Sequence, residues 1–361
     1  MNDLQGLRVV VAGAGAVGSV TALTLLRCGA RVILIDSADL GRNASGVAAG
    51  MLAPAFECLL DPVSADHFPW LAVARDMWPQ LAETLPAKGP LIDRSGVLYL
   101  SPDQADLQAK AERLKAFDPD FELLPPAEAQ RRSPGLRASG PSLFSTLDWR
   151  LDPLVMLAAL RQAFLEEGGE VNSDQVIAWS QNAASLASGA RQDADVMVLA
   201  TGAGPAAGLN APELAVLSPI KGQILRFDGG GPLGGPVLRA PGIYVAPMPG
   251  GAVAGATMQP GRSDLTIEPE AVSRLQAAAA QLFSSLAHPT PRAEAGIRAA
   301  TPDGLPMVGP SVQAGLLLAV GARRNGWLLA PAMADVIAAQ LRGLPTGAFG
   351  TAFAPDRFAF R

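Results

Sequence analysis

Short apolar runs broken by glycine open the chain. Arg8–Ala12 is apolar and β-branched and stops at glycine, the pattern of a strand buried on both faces. Over 17–28, Val17, Val20, Ala22, Leu23, Leu25 and Leu26 recur at helical spacing, and Gly29 ends the helix they predict. Arg31–Ile35 repeats the strand pattern and carries Asp36 at its end. Strand, turn, helix and strand in that order make a parallel βαβ unit.

Residues 69–85 predict a helix interrupted near Pro79, and 95–100 a strand. Ser101 is the expected N-cap of the next helix, with Pro102 at its first position and Gln104 closing a capping box. Asp152-Pro153 opens a helix that Gly168-Gly169 ends. Residues 171–179 and 185–188 read as strands about Gln181-Asn182, and 195–200 as a buried strand running into Thr201-Gly202. The alternation at 221–227, 242–247 and 252–257 suggests an antiparallel sheet, followed by an amphipathic helix over 272–286. Pro331 fits only the first turn of a helix, so the last helix is expected to begin within 328–331.

The fold class this predicts is mixed α/β: a Rossmann-like domain with an interleaved smaller domain that carries an antiparallel sheet. Glycine-rich segments recur near residues 13, 50, 202 and 321, which favours interleaving over two consecutive domains. The boundaries drawn are 1–85, 142–217 and 290–361 for the first domain, and 86–141 and 218–289 for the second.

Composition narrows the chemistry. The 361 residues are 49% hydrophobic and 17% charged, enough for one large or two ordinary cores and too apolar for disorder. A net charge of −5 argues against a nucleic-acid or polybasic membrane partner. Cys28 and Cys58 match no metal spacing and no redox pair, so they read as free thiols. With His67 and His288 the only histidines, a metal site or a histidine-based triad is poorly supported, and no metal is expected. Glycines and Arg27 and Arg31 interrupt the apolar opening, so it reads as neither a signal segment nor a membrane span; a cytoplasmic protein is the expectation.

The turn after the first strand carries GxGxxG. Gly13 permits the tight turn, Gly15 lets backbone approach a pyrophosphate, and Gly18 lets helix and strand pack closely. The helix N-terminus offers free N–H groups to phosphates, and Asp36 can accept from the ribose hydroxyls of FAD or NAD. The segment 41–54 (GRNASGVAAGMLAP) is small and irregular, and its backbone and the Ser45 hydroxyl could line a long cofactor. Thr201-Gly202 could bring backbone close to the same ligand, or simply end the strand. Arg323 and Arg324 stand side by side before Asn325-Gly326, either on a solvated turn or waiting for an anion.

Several longer stretches then resemble one family in its own order: VVVAGAGAVG with Asp36, ASGVAAGMLAP at 44–54, SPIKGQILRF at 218–227, GIYVAPMPGGAVAGATMQPG at 242–261, GIRAATPDGLPMVGP at 296–310 and RNGWLLAPAMADVIA at 324–338. They are similar to the amino-acid oxidase family of FAD-dependent oxidoreductases, and within it to the glycine oxidases of thiamine biosynthesis. The resemblance implies an FAD domain of discontinuous segments with the smaller domain's sheet over the flavin face. It implies oxidative deamination of glycine or another small amino acid or amine by hydride transfer to flavin, with dioxygen as acceptor and hydrogen peroxide as product. A flavin-dependent D-amino-acid dehydrogenase, or a sarcosine-oxidase-like enzyme on a different amine, is the alternative.

Carried over by position, the resemblance places Ala16, Val17, Asp36, Ser37, Ala44, Ser45, Ala49, Gly50, Met51 and Val176 on FAD. It does the same for Ala322, Arg323, Arg324, Asn325, Gly326, Trp327 and Leu328, which follow Gly321. Arg298 and Arg324 fall on substrate-carboxylate positions, and Tyr244 and Met258 on the substrate pocket. Arg323 is expected to face solvent or a subunit neighbour. The FAD is expected to be non-covalent, because neither cysteine lies in the C-terminal region where related sarcosine oxidases attach it. Homo-oligomers are frequent among such enzymes. The family's histidine and aromatic residue before the loop arginine are Ala322 and Arg323 here, its GLRP is GIRA with Ala299, and Gly242 stands where glycine oxidases carry a polar ring. A missing side chain enlarges a pocket, so these departures fit a bulkier or N-substituted amine.

Overall fold

The computed structural model describes residues 3–180, 182–204, 208–232 and 234–358. Two large sheets organise it. The first has six strands in the order Met307–Pro310, Leu316–Val320, Val196–Leu199, Arg8–Ala12, Arg31–Ile35, Glu170–Asn172, parallel except for the Met307–Pro310 edge. Its strands are buried on both sides. Val9 and Val11 face a core with the helices Ala16–Arg27 and Gly326–Leu341, while Val10 and Ala12 face a second core with Trp179 and Leu186.

The second sheet has nine strands and is mainly antiparallel. Its longest strand, Ser218–Asp228, lies next to one edge, paired with Gly251–Gly255 on one side and Arg292–Ala300 on the other. Beyond Gly251–Gly255 come Ile243–Met248, Val237–Ala240, Val97–Leu100, Ser142–Ser145 and Glu122–Leu124. One face packs Leu225, Phe227 and Val245 against the helix Pro269–Leu282. The other face carries Ile224, Val237, Val253 and Tyr99 and meets Phe56 and Leu59 of the short helix Pro54–Leu60. The strands Ser142–Ser145 and Arg292–Ala300 pair in this sheet, although the sequence-drawn boundaries at 142 and 290 set them with the other domain.

Several local expectations need correcting. Phe68–Ala82 continues through Pro79 as one helix, held by burial of Leu71, Ala74 and Trp78 along one face. Asp103, not Ser101, caps Gln104–Leu114, accepting from the Ala105 N–H at 2.8 Å. The stretch 171–179 is two strands: Glu170–Asn172 in the six-stranded sheet and Val176–Ser180 in a separate three-stranded one. Asn182 turns the chain with φ +56°; Gln181 lies outside the described residues. No helix among the described residues is long and apolar enough to cross a membrane.

The last helix starts at Gly326, earlier than expected, with Pro331 inside it. Proline leaves the carbonyl four residues back without its helical partner. That carbonyl belongs to Trp327, and the buried Trp78 indole N–H donates to it at 2.9 Å. Trp78→Phe keeps an aromatic ring but leaves a small void and strands the carbonyl. It should cost about 1–3 kcal/mol in chemical denaturation, and an unchanged midpoint would show that the indole bond does not hold the proline turn.

Candidate active site

Three adjoining cavities, of about 300, 130 and 310 Å³, form one trough. Gly15, Ala44 and Ser45 line both the first and the second, and Arg298, Arg324 and Trp327 both the second and the third.

The glycine-rich turn and Asp36 form the first end. Gly13 has φ +103°, and a Cβ on it would lie 2.5 Å from the Ala200 carbonyl oxygen. A Cβ on Gly18 would lie 1.8 Å from the Gly13 carbonyl oxygen, so Gly18 sits beneath the turn and lines none of the three cavities. The helix Ala16–Arg27 starts at Gly15 with no cap from its own side chain; instead Ser45 Oγ accepts from the Ala16 N–H at 2.9 Å. The Asp36 carboxylate accepts from the Ala14 N–H at 2.6 Å and the Ala38 N–H at 2.9 Å, which fixes it at the trough wall. Thr201 and Gly202 lie opposite. A turn that admits no side chain, a helix N-terminus and an oriented acid fit the pyrophosphate and ribose of FAD.

The segment expected to be irregular is stapled in place. Asn43 caps a short helix, Ala44–Val47, accepting from the N–H groups of Ser45 and Gly46, and Arg226 of the large sheet donates to the Gly46 carbonyl at 2.7 Å. The Trp327 indole donates to the Ser45 carbonyl at 3.0 Å. Ala49, Gly50 and Met51 line the third cavity; Ala16, Val17, Gly321, Ala322, Arg323 and Gly326 line the second; Asn325 lines the third. Three other named positions are not brought to the trough. Val176 pairs with Leu186 in the small sheet, Ser37 is exposed beyond Asp36, and Leu328 is in the core.

The third cavity is floored by two glycines of the large sheet. A Cβ on Gly222 would lie 2.2 Å from Arg298 Nη1, and a Cβ on Gly255 would lie 2.7 Å from the Tyr244 hydroxyl. The Arg298 guanidinium and the Tyr244 ring therefore lie flat over the strands, next to one another. The described residues offer Arg298 only Met258 Sδ, 3.7 Å from Nη1; Met258 is exposed at this cavity. Burial holds the Arg298 guanidinium below its ordinary pKa, with Tyr244 opposing. Burial likewise raises the Tyr244 phenol, against the pull of Arg298 and Arg239, so it stays protonated. Gly222→Ala should push the guanidinium off its floor. Amine turnover should fall about tenfold or more with little change in melting temperature, because the displaced group is a flexible side-chain end; turnover at the wild-type rate would show that the resting position of Arg298 is unimportant.

The arginine pair behaves otherwise than expected. Arg323, with φ +49°, turns inward and pairs with Asp61; Asp61 is buried and the Arg323 side chain nearly so. Arg324 lines the cavity but already faces two carboxylates, Glu57 at 3.2 Å and Asp61 at 3.5 Å. Glu57 and Asp61 stand four residues apart at the end of Pro54–Leu60, hence on one side of the helix. Acids at that spacing in an apolar segment were the available signal for them. The uncapped N-terminus of Gly326–Leu341 opens beside them.

Two further charged groups were missed. Asp148 is fully buried and accepts from the Ala55 and Phe56 N–H groups at 2.8 and 2.9 Å; burial pushes it up to about 6, against Arg239 and those N–H groups. Arg239 is 4% exposed, lines the third cavity and sits directly across from Tyr244 in the sheet.

A sequence model of the FAD dependent oxidoreductase family matches residues 8–340. The glycine oxidase of Pseudomonas aeruginosa is 29% identical over 361 aligned positions, covering 93% of this chain and 95% of its own. The tRNA 5-methylaminomethyl-2-thiouridine biosynthesis bifunctional protein MnmC of Caulobacter sp. is 30% identical, covering 94% of this chain but 55% of its own. The crystal structure of glycine oxidase from Geobacillus kaustophilus superposes with a TM-score of 0.85 at 25% identity, covering 98% of this chain and 100% of that one.

Proposed function

The chain belongs to the FAD dependent oxidoreductase family, and from that premise we propose that it oxidises the C–N bond of a small amine bearing a carboxylate: glycine, another small amino acid or an N-substituted glycine. FAD, when bound, supplies the hydride acceptor. The observation that supports this reading most is Arg298, a guanidinium facing the cavity with no carboxylate partner, on a glycine floor beside a protonated phenol. A substrate carboxylate would complete it with two parallel N–H···O bonds, and Tyr244 would donate a third. Loss of a hydride from Cα requires a neutral amine. The guanidinium groups along the wall favour that form, since nearby positive charge lowers an ammonium pKa. Arg324, balanced by Glu57 and Asp61, serves as a wall rather than a second anchor.

In this reading dioxygen is the acceptor and hydrogen peroxide the product, and with glycine as substrate the imine could enter thiazole formation for thiamine. This reading takes the FAD as non-covalent, which the position of Cys28 and Cys58 away from the trough supports. Anaerobic titration of the purified protein with glycine and then sarcosine tests this. The visible flavin band should bleach and return on admitting air, with peroxide released. A yellow protein that no amine bleaches would overturn the reading.

A further inference from the structure

We propose that Arg239 forms a second anion subsite in the substrate cavity, so that the preferred amine carries two carboxylates, one held by Arg298 and the other by Arg239. The inference rests on the reading above that this cavity takes an amino acid.

Arg239 is nine-tenths buried, yet it forms no ion pair with any carboxylate among the described residues. Its Nε has no hydrogen-bond partner, and its one contact is from Nη2 to Met51 Sδ at 3.0 Å. Of the neighbouring acids, Glu57 is ion-paired with Arg324, though its Oε1 accepts no hydrogen bond, and Asp148 accepts from two backbone N–H groups. A buried guanidinium left this way is costly unless something else completes it. Arg298, half-buried, likewise lacks a carboxylate and rests on the sulfur of Met258. Paired off, Arg323 goes with Asp61 and Arg324 with Glu57, which leaves two guanidiniums in one cavity without a carboxylate ligand. A glycine carboxylate would satisfy only one of them.

The sheet fixes their arrangement. Arg239, Tyr244, Gly255 and Ile224 lie in one register row across four strands. The Tyr244 hydroxyl leans over Gly255, towards the strand where Arg298 rests on Gly222. Arg239 is therefore on the opposite side of the Tyr244 ring from Arg298. The Pro241-Gly242 turn between Arg239 and Tyr244 leaves space: Gly242 has φ +76° and nothing within 4 Å of where a Cβ would be. A two-residue turn with glycine second favours that backbone, so this departure from the family's polar ring opens the cavity on the side of Arg239.

Ligand binding tests the subsite without turnover. The holoenzyme is titrated with malonate and with acetate, neither of which can be oxidised at an amine, by calorimetry and by perturbation of the flavin spectrum. Malonate should bind about tenfold or more tightly than acetate. The ratio should approach one in Arg239→Gln and recover in part in Arg239→Lys. Iminodiacetate and D-aspartate, compared with glycine as ratios of kcat/KM, then report whether the second carboxylate is carried on nitrogen or on carbon; preference for either over glycine that collapses in Arg239→Gln supports the subsite. Equal binding of malonate and acetate by the wild type overturns it without recourse to a variant. So does a flavin midpoint potential that moves in Arg239→Gln while the malonate ratio stays, which assigns the charge to the cofactor. If glycine bleaches the flavin but malonate gains nothing, the subsite fails alone; if no amine bleaches it, the amino-acid reading fails, and the malonate ratio still decides the subsite.

Discussion

Arg298→Ala yields a protein that keeps its flavin and its melting temperature and loses most of its amine turnover. Arg298 sits on the edge strand opposite Ile220, its guanidinium over Gly222, with no acid bonded to it. Removing it strands no partner charge, so the fold loses little. The substrate carboxylate, by contrast, would lose a charge-assisted, two-bonded anchor. Truncations of that kind cost about 2–5 kcal/mol, a fall of roughly 30- to 5,000-fold in kcat/KM. Arg298→Lys keeps the charge without the planar fork and should fall between. The cofactor's dinucleotide end, at Gly13 and Asp36, is formed by the first cavity, which Arg298 does not line, so FAD retention should not follow activity. Steady-state kinetics of the two variants, with their visible spectra, decide the matter; unchanged kinetics would remove Arg298 from the site.

The same contrast shows what could be read from the chain. The strand, turn and helix around Gly13–Gly18 were legible because several local requirements coincide there: a buried strand, backbone that excludes side chains, and a helix with a long apolar face. Arg298 was legible only through a longer resemblance, since an arginine near a turn is ordinary. Misreadings arose where tertiary packing overrode a local rule. Pro331 lies inside a helix because a tryptophan distant in sequence takes up the freed carbonyl, and Pro79 because its helix is buried along one face. The capping error at Ser101 was a choice between two adequate caps two residues apart. Arg239 escaped notice although the hairpin contains it: a two-residue Pro-Gly turn sets position 239 across from 244, so the tyrosine chosen for the pocket already implied the arginine beside it. What the sequence could not disclose was pairing. Nothing local distinguishes Arg323, committed to Asp61, from Arg298, committed to nothing.

That commitment gives Asp61→Ala the largest expected effect on stability. Asp61 ends the helix Pro54–Leu60 and accepts from the Val63 N–H at 3.2 Å, which aims its carboxylate at Arg323. Arg323 cannot retreat to water: its N–H donates to the Ala299 carbonyl at 2.8 Å, and its side chain is 9% exposed. Alanine at 61 leaves that guanidinium buried and unpaired, and takes from Arg324 one of its two acids. Breaking a buried pair from one side costs about 3–5 kcal/mol. Removing both partners in Asp61→Ala/Arg323→Ala should recover part of the loss, which a double-mutant cycle by chemical denaturation would measure. The pH dependence has a definite sign. Burial alone would raise the Asp61 carboxyl, but the bond from Arg323 and the charges of Arg323 and Arg324 bring it below its ordinary value. A depressed carboxylate stabilises the native state above the ordinary range and ceases to do so as pH falls through its lowered value. The wild type should therefore exceed Asp61→Ala in stability at neutral pH and converge on it in acid. Because Asp61 holds the loop from Ala322 to Gly326, a stretch of backbone along the second cavity, the variant should also hold FAD more weakly, whereas Arg298→Ala removes only a side chain there. An additive double mutant, or a difference that persists unchanged into acid, would mean that the pair is a neighbour of the site and not part of what holds its wall in place.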